Sequence, residues 1–157
     1  MTAPTRNRVE SRLLVSGDLD EVARIDALHT GDAKAGYWHR IFGEFLGREA
    51  DPHTFGFGVD GENGLAGYLF GEIRAVEFGS ESCGWVFAVG VDPGFLRGGA
   101  ATALLDSACQ RFRDAGVKTV RTMVRRNDVP VLSFFRSRGF HGGPYVQLEL
   151  ELEEETE

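Results

Sequence analysis

Apolar and polar residues alternate along this chain with periods that change from segment to segment. Val9 to Val15 alternates weakly and predicts a first strand. From Leu19 to Leu28 the apolar residues Val22, Ile25 and Leu28 recur at helical spacing, with Asp18 placed as N-cap. Asp20 and Glu21 fall in the first turn, where the helix dipole favours acids. A second helix is predicted over about 33–47, where Tyr37, Trp38, Ile41, Phe42, Phe45 and Leu46 make a broad apolar face. That face is either core or the wall of an apolar pocket. Phe55 to Val59, the turn Asp60-Gly61-Glu62-Asn63-Gly64, and Leu65 to Val76 read as an antiparallel hairpin.

Trp85 to Val91 is a continuous apolar, β-branched and aromatic run, the pattern of a buried strand. Helical spacing returns over Ala101 to Val117 with Leu104, Leu105, Ala108 and Phe112, and Gly116 reads as its stop. Thr119 to Val124 predicts a further strand. Val129 to Arg138 predicts a helix with Pro130 in its first turn and Gly139 at its end. Finally, Val146, Leu148, Leu150 and Leu152 alternate with Gln147, Glu149 and Glu151, which predicts a half-exposed strand over Tyr145 to Leu152. No repeat or linker interrupts the series, so it reads as one domain over 1–157, with a core over about 9–152 and loose ends at 1–8 and 153–157.

Composition narrows the function classes. At 157 residues and 42% hydrophobic content the chain suits a single core. The formal charge of −7 disfavours a general nucleic-acid binder, although much of it lies in the tail from Glu149 to Glu157. No stretch approaches the roughly 18 apolar residues of a membrane span, and no leader is visible. Cys83 and Cys109 read as free thiols of a reducing cytoplasm. His39 and His53 stand alone, without metal-ligand spacing, so no metal is expected.

The stretch richest in chemistry joins the buried strand to the long helix: Val91-Asp92-Pro93-Gly94-Phe95-Leu96-Arg97-Gly98-Gly99-Ala100-Ala101-Thr102. Beyond Arg97 it carries almost no side chain. A strand that feeds such a loop at a helix start leaves backbone N–H groups pointing outward, at the positive end of the dipole. That is an anion site. The plainer reading is a tight turn passing beneath a neighbouring element. No Gly-Lys-Ser/Thr follows, and the loop lies too late in the chain for a dinucleotide fold.

These residues resemble the GNAT family of N-acetyltransferases, whose signature is a strand, Val-x-Pro, then Gln/Arg-x-x-Gly-x-Gly/Ala opening a helix. Val91-Asp92-Pro93 and Gly99-Ala100-Ala101 fit it, while Leu96 stands where Gln or Arg is usual. A second motif, Asn127 followed by Phe134-Phe135-Arg136-Ser137-Arg138-Gly139-Phe140, resembles the family's Asn…(Leu/Phe)-Tyr-x-x-x-Gly-Phe. The predicted element order also matches, from about Val9 to Leu152. The resemblance implies an α/β fold, with a mostly antiparallel twisted sheet, a splayed parallel pair of strands and flanking helices.

It also implies acetyl-CoA as co-substrate and a primary amine as acceptor. The cofactor would be held by Val89, Gly90, Val91, Arg97, Gly98, Gly99, Ala100, Ala101, Thr102, Asn127, Phe134 and Phe135. The pantetheine arm would lie along Val89 to Val91 and the pyrophosphate on the loop. Gly90 leaves room there for a close approach.

Acid and base are harder to place. Relatives put a glutamate at positions occupied here by Trp85 or Thr122, and a tyrosine acid at the position of Phe135. Glu72 is a substitute base, since it alternates with Tyr68 and Phe70 on an apolar strand. Tyr145 is a substitute acid. Cys109 packs in its helix. The competing expectation is a CoA-binding sensor or regulatory module without turnover, and either could be a homodimer.

Overall fold

β2 (Thr54–Gly61), β3 (Gly64–Arg74) and β4 (Cys83–Val91) form the middle of an antiparallel meander, as the hairpin pattern predicts. The computed structural model describes residues 8–46, 53–75, 78–95 and 98–153. A short β1 (Arg12–Leu13) pairs antiparallel with β2, and β5 (Val120–Thr122) pairs parallel with β4, giving the order β1-β2-β3-β4-β5. The sheet is therefore mixed, with one parallel pair at its end. The chain divides into two compact units, Met1–Thr122 and Met123–Glu157.

In the first unit, α1 (Leu19–Thr30) and α2 (Ala35–Leu46) cover one face of the sheet. Trp38, Ile41 and Phe42 of α2 bury against Tyr68 and Phe70 of β3, so the aromatic face read from the sequence is core. Phe70 lies within 5.6 Å of both Trp38 and Phe42, in an aromatic cluster whose pairs each add to plain area burial. The other face is covered by α3 (Ala100–Asp114) through Leu104, Leu105, Ala108 and Phe112. The Phe112 ring lies so close to the sheet that a Cβ at Gly84 would meet it at 2.7 Å.

Asp18 stands at the N-cap position of α1, as predicted, but its side chain makes no cap hydrogen bond. It ends a single-turn 3-10 helix, Ser16–Asp18, and its carboxylate accepts from Arg12 Nη1 and Nη2 at 2.8 and 2.9 Å and from the Val15 amide at 2.8 Å. An arginine offering two parallel donors outcompetes a helix amide for the same oxygens.

In the second unit, α4 (Val129–Ser137) starts at Asp128, whose side chain accepts from the Val131 amide. The predicted strand over Tyr145 to Leu152 is not formed. Those residues have no regular structure, and Val146, Leu148, Leu150 and Leu152 are exposed. Alternation gives a segment two faces but supplies no partner for its backbone, and a lone strand is not stable in water.

Candidate functional site

β4 is held on both edges only along its first half. Its parallel pairing with β5 runs through Gly84–Val120, Trp85–Arg121 and Val86–Thr122 and then ends. Its pairing with β3 continues to Val91, opposite Gly67. Among the described residues, no strand pairs with the second edge of β4 over 87–91. Backbone donors and acceptors there are open to an extended ligand, which can add to the sheet edge as a strand would.

The register shifts within this strand. Phe70 faces Ala88 while Gly71 faces Val86, so Phe87 is the extra residue of a β-bulge. Phe87 turns toward the α1/α2 face and packs against Phe45 at 5.0 Å. The bulge sets Gly90 opposite Tyr68. A Cβ on Gly90 would lie 2.7, 2.8 and 2.9 Å from Cε1, Cζ and Oη of Tyr68, the far end of the ring. The room that Gly90 leaves is thus taken up by Tyr68.

Beyond Val91 the strand enters a 3-10 turn, Pro93–Phe95, and then α3. Gly99 is the N-cap residue of α3 at φ +85°, a conformation that costs an L side chain strain. No side chain caps this helix start. The amides of Ala100, Ala101 and Thr102 sit in its first turn, where no carbonyl of the preceding turn is available to them. These amides, beside bare Gly98 and Gly99, suit a pyrophosphate. Leu96 and Arg97 lie outside the described residues.

Three side chains fix this corner. Asp92 Oδ1 accepts from the Gly94 amide at 2.9 Å and Oδ2 from Arg24 Nη1 at 2.8 Å. The Arg24 guanidinium, and then the Gly94 amide, hold the Asp92 carboxyl below its usual range. His29 Nε2 donates to the Val91 carbonyl at 2.6 Å. Sequence reasoning missed all three. Asp92 had a local signal, since Asp-Pro-Gly is a turn whose first side chain folds back onto the backbone. Arg24 and His29 come from α1 and had none.

Of the residues named from the sequence, Val89, Gly90 and Val91 lie on the open half of β4, and Gly98 to Thr102 lie at the start of α3. One continuous strand–loop–helix carries both groups. Glu72 stands opposite Trp85, where β4 is still closed by β5. Its Oε1 accepts from Arg74 Nε at 2.9 Å, and Arg74 lies 4.5 Å above the Trp85 ring.

The remaining residues belong to the second unit. Asn127 is exposed in the turn before α4, Phe134 is half-buried, and Phe135 is 3% exposed between Phe134 and Phe140. Tyr145 is half-exposed and lines a cavity of about 780 Å³ with residues 123–126, Val146, Gln147 and Glu149. Among the described residues, no cluster of His, Cys, Asp or Glu could hold a metal ion. Cys83 and Cys109 are not bridged to each other. No described helix is long and apolar enough to cross a membrane.

The acetyltransferase (GNAT) family model matches residues 20–140. The chain belongs to this family. A mycothiol acetyltransferase of Saccharomonospora viridis is 28% identical over 145 residues, covering 84% of this chain. The match takes in 45% of that protein, so the chain spans less than half the length of this relative.

Solved structures share the fold. Aminoglycoside N-acetyltransferase AAC(6')-Iy in complex with CoA superposes with a TM-score of 0.79, at 15% identity, over 96% of this chain and 99% of that one. An aminoglycoside 6'-N-acetyltransferase from Acinetobacter haemolyticus gives 0.74 at 16% identity, over 92% and 99%. A transcriptional regulator from Bacillus halodurans gives 0.74 at 15% identity, over 92% and 100%.

Proposed function

We propose that this chain is an acetyl-CoA-dependent N-acetyltransferase whose acceptor is a primary amine, on a small molecule or on a protein N-terminus or lysine. The observation that carries this reading is the single run in which β4 loses β5 after Val86 and passes into the uncapped start of α3. An extended amide-bearing arm ending in a pyrophosphate matches that run: hydrogen-bonding edge first, anion site second.

When bound, acetyl-CoA supplies an acyl group activated as a thioester. The open backbone of Val89 to Val91 would hold the arm, and the amides of Gly99 to Thr102 would hold the pyrophosphate. Arg24, Asp92 and His29 fix the end of β4 from which the loop departs, so catalysis would rest first on orientation. Amide donors aimed at the carbonyl oxygen from a preset strand edge are of the kind that stabilise charge as it develops. The unbridged cysteines fit a cytoplasmic setting.

A thermal shift tests the cofactor half of this reading. CoA at about 100 times its dissociation constant adds roughly 2.7 kcal/mol, a rise on the order of 5–10 °C for a domain of this size. A shift with NAD or ATP and none with CoA would refute it. Release of free thiol from acetyl-CoA across a panel of amines tests the other half. Stabilisation by CoA with no amine acetylated would favour the binding module without turnover, a reading supported by Phe135, which cannot donate a proton, standing where the resemblance implies an acid.

A further inference from the structure

Tyr68 is held in the core, yet its polar end is left over. The residue is 3% exposed, and its ring lies 5.3 Å from Trp38 and 6.2 Å from Phe70. Among the described residues no hydrogen bond is made by its hydroxyl. Nor is the oxygen sealed in: Thr54 Oγ1 is the described side-chain atom that is both enclosed and unpartnered. Tyr68 is thus a phenol buried along its ring with an unbonded oxygen at its far end. Buried polar groups are nearly always bonded, so such an oxygen has a partner still to come.

The polar end of Tyr68 lies at β4. The end of the Tyr68 ring lies against Gly90, in the half of the strand whose outer edge is unpaired. Building that contact takes a glycine at 90 and the bulge at Phe87 that brings it opposite Tyr68. A tyrosine kept only for packing would need neither its oxygen nor this register.

We propose that the Tyr68 hydroxyl donates a hydrogen bond to the thioester carbonyl oxygen of acetyl-CoA held along the open edge of β4, alongside the backbone amides of that edge. The inference rests on the acetyl-transfer reading above. Burial, reinforced by the negative charge of Asp26, pushes the phenol well above its usual range. The group therefore keeps its proton. Giving that proton to a departing thiolate, whose thiol ionises near about 8.5, would run uphill. Tyr68 is a donor that polarises the carbonyl without ionising.

Tyr68→Phe removes the oxygen and keeps the ring. With an acetylated amine as readout, kcat is expected to fall about 10²-fold, the cost of losing one such donor. KM for acetyl-CoA should stay within about threefold, because the donor strengthens its bond only as charge builds. The melting temperature of the free protein should equal or exceed the parent's, since no partner is orphaned.

The infrared stretch of acetyl-CoA labelled with ¹³C at the carbonyl reports the bond without turnover. In complex it should lie at higher frequency in Tyr68→Phe than in the parent. Equal kcat together with equal stretch would overturn the proposal and leave a merely hydrated hydroxyl. If the parent binds acetyl-CoA but acetylates no amine, the acetyl-transfer reading fails, and the stretch alone decides Tyr68. If the parent binds no acetyl-CoA, both fall together.

Discussion

Thr122 Oγ1 donates to the carbonyl oxygen of Val86 at 2.8 Å, on the last rung that β4 and β5 share. Val86 is buried, and beyond it the two strands are no longer paired. A side chain therefore reinforces the point where the cleft begins. Here the Thr122 side chain serves structure.

Thr122→Val keeps the shape and removes the donor. The expected cost is about 1 kcal/mol, or about 2–4 °C in melting temperature for a domain of this size. Calorimetry of the two proteins checks it. An unchanged transition would mean that the backbone alone holds the rung.

Gly99 is the second point at which the site depends on one residue. At φ +85° it tolerates no β-branched side chain without strain, even though a Cβ there would meet only Val9 Cγ2, at an ordinary 3.7 Å. Gly99→Val should therefore fold, at a cost of about 1–3 kcal/mol. CoA affinity should fall much further, at least about a hundredfold, as the new side chain crowds the amides that approach the pyrophosphate. Titration calorimetry with CoA separates the two effects. Parent-like affinity would move the anion site away from this loop.

Much of the first unit was legible because its apolar residues keep one period over each element. Val22 and Ile25, the run Trp38, Ile41, Phe42, and the series Leu104, Leu105, Ala108, Phe112 all bury as predicted, whereas Leu28, read as part of the first stripe, is exposed. The cleft was legible only in part. Cys83 to Val91 is apolar throughout, so no alternation reveals that Phe87 is a bulge, and without the bulge Gly90 cannot be set opposite Tyr68. Gly90 read as room for a ligand, but its neighbour across the sheet occupies that room. Over Tyr145 to Leu152 the reverse occurred: the period is clear, yet a strand needs a partner edge, which no local pattern encodes. Asp18 takes its predicted N-cap position without making the cap bond for a similar reason, because Arg12 reaches its carboxylate from an earlier element.

Asp18 gives the protein an acid-sensitive contact. The Arg12 guanidinium holds its carboxyl below the usual range, against the opposing effect of burial and with help from the Val15 amide. A carboxyl ionising lower in the folded than in the unfolded chain adds stability that is complete above about pH 4 and is lost as pH falls through the folded value. At pH 7, Asp18→Asn should cost about 1–3 kcal/mol, toward the low end because Arg12 is partly exposed and solvent-screened. The gap between parent and variant should narrow as the pH is lowered below about 4. Urea midpoints at pH 7 and in acid measure the gap. A constant gap would mean that Arg12 leaves the carboxyl of Asp18 unshifted.

Phe135, where the family resemblance implies an acid, packs between Phe134 and Phe140 at 5.3 and 5.0 Å. Glu72 is engaged by Arg74 opposite the closed half of β4. Glu72 lies four positions along the strand from Tyr68, a run of about 13 Å, which is beyond hydrogen-bond reach of a group bound at Gly90. Rate should therefore come mainly from orientation and carbonyl polarisation, with the amine losing its proton to solvent. Turnover is expected to rise with pH as the amine deprotonates. It should stay level through about pH 10, because Tyr68 donates in its protonated form and its raised value lies above the ordinary phenol range. Asp26 and Tyr37, the charged and titratable groups that act on it, both shift it in that direction. Glu72→Gln and Phe135→Tyr should each change kcat by less than about tenfold, whereas losing a true acid or base costs about 10²–10⁴. A larger loss in Glu72→Gln would restore that residue as the base. A falling limb that vanishes in Tyr145→Phe would make Tyr145 the acid and bring the second unit into the chemistry.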